Sequence, residues 1–172
     1  MNCTDGACWF VARTRRGQEL AIRDRLDLYG IRNFVPVCQT LKVRNGRKIK
    51  AVAPLIPSMV FLYTTKETAC ALANGRDLQV FYIIDRMTNR MLVVPDRQME
   101  DFIRVVSEAP GSVEMTHYTP LVGENVRIVS GSLAGVEGKV LSVEQDTYIV
   151  VSAGTLLSAR IRVSPSSLEP LG

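Results

Sequence analysis

The 172-residue chain is 47% hydrophobic and 22% charged, with a formal net charge of +4, a balance that suits a folded globular protein and argues against extended disorder. No apolar run approaches the roughly 18–20 residues needed to cross a bilayer, which excludes a membrane-spanning helix. The basic excess lies within residues 1–110, whereas 111–172 hold more acidic than basic side chains, so two modules with different partners are expected.

The first element expected is a buried strand over 8–13, Cys-Trp-Phe-Val-Ala-Arg. A helix follows over 17–29, with Ile22, Leu26 and Tyr29 on one stripe and Gly30 as its stop, leaving Arg23 and Arg25 toward solvent. After a short edge segment at 34–37, residues 40–52 read as a hairpin whose Asn45-Gly46 suits a type I′ turn and whose outward positions are basic. Pro54-Leu55-Ile56-Pro57 ends it. Met59 to Tyr63 is an apolar run of central-strand length. Thr65 can cap a short helix through about residue 73. Leu78–Ile84 and Met91–Val94 are further strand candidates. Pro95-Asp96 opens a helix with Met99, Phe102, Ile103 and Val106 at helical spacing. Mixed strands and helices over 1–109 predict an α+β layer. Residues 110–120 carry two prolines and a glycine without periodicity and read as a linker. From 121 to 172 every segment is strand-like and punctuated by Gly and Ser, which predicts a small five-stranded, SH3-like barrel.

The inventory for catalysis is poor. There is no G-x-S-x-G, P-loop, H-E-x-x-H or G-x-G-x-x-G pattern. The single histidine, His117, falls in the linker, where a general base would lack rigid support. Cys3, Cys8, Cys38 and Cys70 form no C-x-x-C pair, so no metal or other cofactor is expected, and free thiols in a reducing compartment are. The N-terminus lacks a basic region followed by an apolar core, which makes the cytoplasm the expected location. Binding is the better reading. Trp9, Arg13, Arg15, Arg16, Gly17, Arg23 and Arg25 bring a strand end, a turn and a cationic helix face close in sequence. Guanidinium groups of that kind can contact phosphates and stack on bases, although a solvated surface has the same composition.

Four segments together carry a resemblance: Trp9-Phe-Val-Ala-Arg-Thr-Arg-Arg-Gly17, Pro54-Leu-Ile-Pro-Ser-Met-Val-Phe-Leu62, the stretch from Arg76 to Ile84, and Gly123-Glu-Asn-Val-Arg-Ile-Val-Ser-Gly-Ser-Leu-Ala-Gly-Val-Glu-Gly-Lys-Val140. In order and spacing the chain resembles the NusG family of transcription elongation factors from about Cys8 to Leu171, its front part the NGN domain and its back part the KOW domain. The resemblance implies a ferredoxin-like NGN sheet flanked by helices, a KOW barrel, and RNA polymerase as partner. An apolar depression for the polymerase clamp helices would include Ile56, Met59, Phe61 and Ile84, with Arg13 at its edge; one face of the 59–62 strand must be core and the other is left for the interface. Contacts to non-template DNA would fall to Arg15, Arg16, Arg25 and Arg76, which are expected to converge at one end of the sheet. Gly131, Leu133, Gly135, Val136 and Gly138 match the KOW motif, and the barrel could serve a ribosome or Rho contact. The Leu55–Phe61 stretch is most similar to the specialised RfaH- and UpxY-type antiterminators, although Thr68-Ala69-Cys70 departs from the His-Thr-Thr patch of the former. The alternative function is a KOW-containing RNA-binding or ribosome-associated protein, which would have no need of an apolar groove over 54–84.

Overall fold

The computed structural model describes residues 6–75, 78–108, 111–117, 123–143 and 145–172. Packing divides the chain into two compact units, Met1–Val94 and Pro95–Gly172.

The first unit is built on β1 (Ala7–Arg13), followed by α1 (Glu19–Leu28), β2 (Arg32–Phe34), β3 (Val37–Arg44), β4 (Arg47–Pro54), β5 (Met59–Thr65), α2 (Lys66–Asn74), β6 (Phe81–Tyr82), β7 (Ile84–Asp85), β8 (Arg90–Met91) and β9 (Val93–Val94). The main sheet runs β2-β5-β1-β6, with β9 also pairing β1, and all its pairings are antiparallel. β1 and β5 pair over their full length, from Ala7 opposite Thr65 to Arg13 opposite Met59. Cys8 through Ala12 are all buried, as an unbroken apolar run requires when both faces of a strand are covered. On one face Ala12, Val60 and Leu62 join Ile22 and Leu26 of α1 with Val35, Leu78 and Val80. On the other, Trp9, Val11, Phe61 and Val94 are buried, and the Arg32 guanidinium lies 5.1 Å from the Trp9 ring and 5.6 Å from that of Tyr63.

Local signals explain the helix ends. Gly30 takes φ +67°, and the N–H of Ile31 reaches back to Leu26 O at 2.9 Å while that of Gly30 reaches Asp27 O at 3.0 Å, the paired bonds of a Schellman stop. Tyr29 falls outside α1 as its C-cap and is exposed, so the apolar stripe stops at Leu26. The Thr65 hydroxyl accepts the Thr68 N–H at 3.3 Å and caps α2. The strand expected over 78–84 is shorter: Leu78 and Val80 are buried as irregular chain, and only Phe81 and Tyr82 pair with β1. Cys38 and Cys70 are free thiols, but Cys8 is disulfide-bonded, which corrects the expectation for that residue; Cys3 lies outside the described residues.

The second unit begins with α3 (Asp96–Glu108) and continues through β10 (Val113–His117), β11 (Asn125–Ile128), β12 (Glu137–Val143), β13 (Asp146–Ala153), β14 (Leu157–Arg162) and β15 (Leu168–Pro170). Its antiparallel sheet has the order β10-β14-β13-β12-β11-β15. Two features differ from the reading of the sequence. The stretch taken as a linker supplies β10, whose Val113–His117 pair with Leu157–Ile161. The helix taken with the front part lies in the second unit and packs chiefly on β13 and β14. Met99, Phe102, Val105 and Val106 are buried, with Ile103 only partly so. Polar bonds hold α3 to the barrel loops: Arg97 Nη2 donates to Gly135 O at 2.8 Å, Arg104 Nη2 to Ser132 O at 2.8 Å and Ala134 O at 3.1 Å, and the Gly154 N–H to Gln98 Oε1 at 3.2 Å. A charged helix with one apolar stripe needs such a surface, and irregular composition at 109–120 hid how soon the barrel begins.

Candidate functional site

β1 ends at Arg13, which is exposed and lies opposite Met59 on one side and Phe81 on the other. Because β6 is only two residues long, the chain turns outward immediately after it. Ile83 still donates to Val11 O at 2.9 Å and accepts from the Leu92 N–H at 2.7 Å, which anchors the β7–β8 hairpin by its root. At the tip, the Asp85 carboxylate accepts the Met87 N–H and the Thr88 hydroxyl, each at 2.9 Å. Those bonds hold the Asp85 pKa below its ordinary value, the Met87 N–H most strongly. The consequence is a firm turn with apolar side chains held in water: Phe81 is 67% exposed, Ile84 49% and Met87 95%. Exposed apolar side chains on one short segment, with Phe81 opposite the cation Arg13, are features of interaction surfaces.

Ile56 is half-buried on the loop between β4 and β5. That loop is held by Glu19, a carboxylate only 2% exposed in the first turn of α1. Glu19 Oε1 accepts the Ser58 N–H at 2.7 Å, and Ser58 O accepts the Thr14 N–H at 3.1 Å. Ser58 has φ +62°, a left-handed conformation that a side chain adopts only when its surroundings impose it.

The residues expected to form the depression therefore separate. Arg13 and Ile84 are exposed and Ile56 is partly so. Met59 and Phe61 are interior, Phe61 at 0% exposed, because both faces of β5 are covered. Phe81 and Met87 were missed as surface residues; an aromatic next to a short strand and a Met at the centre of a polar turn were the available signals.

The cationic set is spread out. Gly17 at φ +84° and the Gln18 N–H bonded to Arg15 O at 3.0 Å make the tight turn that exposes Arg15 and Arg16. Arg25 is exposed in the last turn of α1. Arg15 and Arg16 lie in the turn before α1 and Arg25 in its last turn, so they stand at opposite ends of the helix rather than converge at one end. Arg76 lies outside the described residues.

In the barrel, Gly131 and Gly135 have φ of +82° and +91°. Leu133 and Val136 are buried. The Gly135 N–H donates to Ile128 O at 2.7 Å and the Ile128 N–H to Val136 O at 2.9 Å, closing the loop. A Cβ on Gly138 would stand 2.5 Å from Val150 O and 2.9 Å from Ile149 Cγ1, which leaves room for glycine alone.

An antiparallel α+β unit and a small β-barrel with a glycine-punctuated loop define a two-module protein. The family model described as transcription termination factor nusG matches residues 7–103, and the KOW motif matches 122–152; the chain belongs to the NusG family of transcription factors. The chain is similar in fold to the solved structure "Domain interaction in Thermotoga maritima NusG", at 18% identity and a TM-score of 0.50, with 96% of this chain and 98% of that one covered. A structure described as an MjSpt4:Spt5 complex aligns at 17% identity over 95% of this chain and 97% of that one, with a TM-score of 0.28, too low to carry an argument. No curated protein matched.

Proposed function

We propose that the chain binds RNA polymerase and promotes processive elongation in the cytoplasm, acting as an operon-specific antiterminator. The observation that carries this reading is the exposed apolar surface of Phe81, Ile84 and Met87 beside Arg13, with Ile56 on the neighbouring loop held by Glu19. The polymerase clamp helices fit it as an amphipathic helix fits an apolar patch. Arg15, Arg16, Arg25 and Arg76 contact the non-template DNA strand, and the similarity of Leu55–Phe61 to specialised antiterminators supports operon specificity.

The test is recovery of core RNA polymerase on the immobilised full chain. Phe81→Asp and Met87→Asp place a carboxylate where a dry contact forms, at a cost of several kcal/mol, and both side chains are exposed enough for the fold to persist. Loss of polymerase by both variants with unchanged circular dichroism supports the reading. Retention by both overturns it.

A further inference from the structure

The β3–β4 hairpin stands apart as its own two-stranded sheet. Asn45 and Gly46 take φ of +51° and +73°, the two left-handed residues of a type I′ turn. Its register places Leu41 opposite Lys50, Val43 opposite Lys48, Lys42 opposite Ile49 and Arg44 opposite Arg47. Since alternate residues face opposite sides, Lys48 and Lys50 share one face with Leu41 and Val43. Lys42, Arg44 and Arg47 occupy the other. The arm thus presents cations on both faces and at its tip. Between Asp27 and Glu67 the chain has no acidic residue, and none of these five cations forms an ion pair among the described residues. Arginines directly opposite one another destabilise a ladder, and an isolated two-stranded hairpin is marginal in water. Leu41 and Val43 are nonetheless 64% and 69% exposed, so no apolar packing offsets the repulsion at this end.

We infer that the hairpin is a second nucleic-acid site, a β-ribbon that enters the major groove of a DNA duplex. A two-stranded ribbon fits that groove, roughly 12 Å wide, where phosphates form both walls and thymine methyl groups meet apolar side chains. The face bearing Leu41 and Val43 meets the base edges of the floor, with Lys48 and Lys50 beside them reaching phosphate, and Lys42, Arg44 and Arg47 on the other face add charge toward the groove walls. A single strand is a poorer fit, because it is held by stacking on aromatic rings and residues 37–54 contain none. An RNA duplex closes its major groove to side chains. The contact is distinct from the polymerase surface and from Arg15, Arg16 and Arg25, and it holds whether or not those assignments do.

The experiment measures anisotropy of a labelled mixed-sequence DNA duplex with the full chain between about 50 and 200 mM salt. It compares the wild type with a variant carrying Lys42→Gln, Arg44→Gln, Arg47→Gln and Lys48→Gln. At about 0.9 per phosphate contact, the slope of log K against log salt should fall by about 3–4 in the variant, and duplex affinity at the low-salt end should drop more than tenfold. The matching RNA duplex and single DNA strand should bind more weakly and lose less. Equal duplex binding by wild type and variant overturns the proposal. So does competition by polyglutamate as effective, charge for charge, as the DNA duplex, since the arm would then suit an acidic protein.

Discussion

The Asp101 carboxylate on α3 accepts the backbone N–H of Glu137 at the head of β12, at 3.3 Å. The same oxygen meets Arg97 Nε at 3.2 Å, and Asp101 is only 4% exposed. One buried carboxylate thus joins the helix to the barrel strand that follows the KOW loop. Asp101→Ala leaves that N–H without its acceptor and should lower the stability of the second unit by about 1–3 kcal/mol. Chemical denaturation followed by circular dichroism checks this, and Asp101→Asn, which keeps an acceptor oxygen, should recover part of the loss.

Gly138 and Gly131 should differ in their response to alanine. At Gly138 the added Cβ meets backbone carbonyl Val150 O at 2.5 Å, and neither strand can move without breaking the β12–β13 ladder. Overpacking of this kind costs typically about 1–3 kcal/mol or more. At Gly131 the space is open and only the positive φ is strained, at about 1–2 kcal/mol. Thermal melts should rank Gly138→Ala below Gly131→Ala, and the reverse order would show that the close approach relaxes.

Glu19 positions the loop bearing Ile56. Glu19→Ala removes the acceptor of the Ser58 N–H and should destabilise the fold by about 1–3 kcal/mol, with protection from amide exchange lost first at Ser58. Glu19→Gln keeps an acceptor and should restore protection at Ser58. Equal exchange at Ser58 in wild type and Glu19→Ala would remove this role.

Burial pushes the Tyr82 hydroxyl up to about 12, and the neighbouring Cys70 thiolate adds to the effect. A raised acid pKa favours the neutral form in the folded state. Stability is therefore full below about pH 10, the ordinary tyrosine value, and declines as pH rises toward 12. The hydroxyl is buried with no hydrogen-bond partner among the described residues, so Tyr82→Phe should be neutral or stabilising at pH 7. The variant should also lose less stability between pH 10 and 12, measured by denaturant midpoints across that range.

Much of this protein was determined locally and could be read from the chain. The run Cys8–Ala12 is apolar throughout, which requires a central strand; Asn45-Gly46 dictates a tight hairpin; Gly30 and Thr65 mark helix ends by backbone conformation and capping. Such signals act within a few residues, so no distant contact has to be known. The glycines at 131, 135 and 138 belong with them, since left-handed backbone and close strand approach admit few alternatives. Other features depended on what lies across space. Periodicity gives α3 an apolar stripe without naming its partner, and only the bonds from Arg97, Asp101 and Arg104 assign that stripe to the barrel. Alternation along β5 separates Met59 and Phe61 from Val60 and Leu62, but it cannot say that both faces are covered. Phe81 and Met87 look like core residues by type; the shortness of β6 and the Asp85 turn put them at the surface. Side-chain chemistry is a property of the sequence, whereas exposure is set by neighbours remote along the chain, and that difference decides which residues can meet a partner.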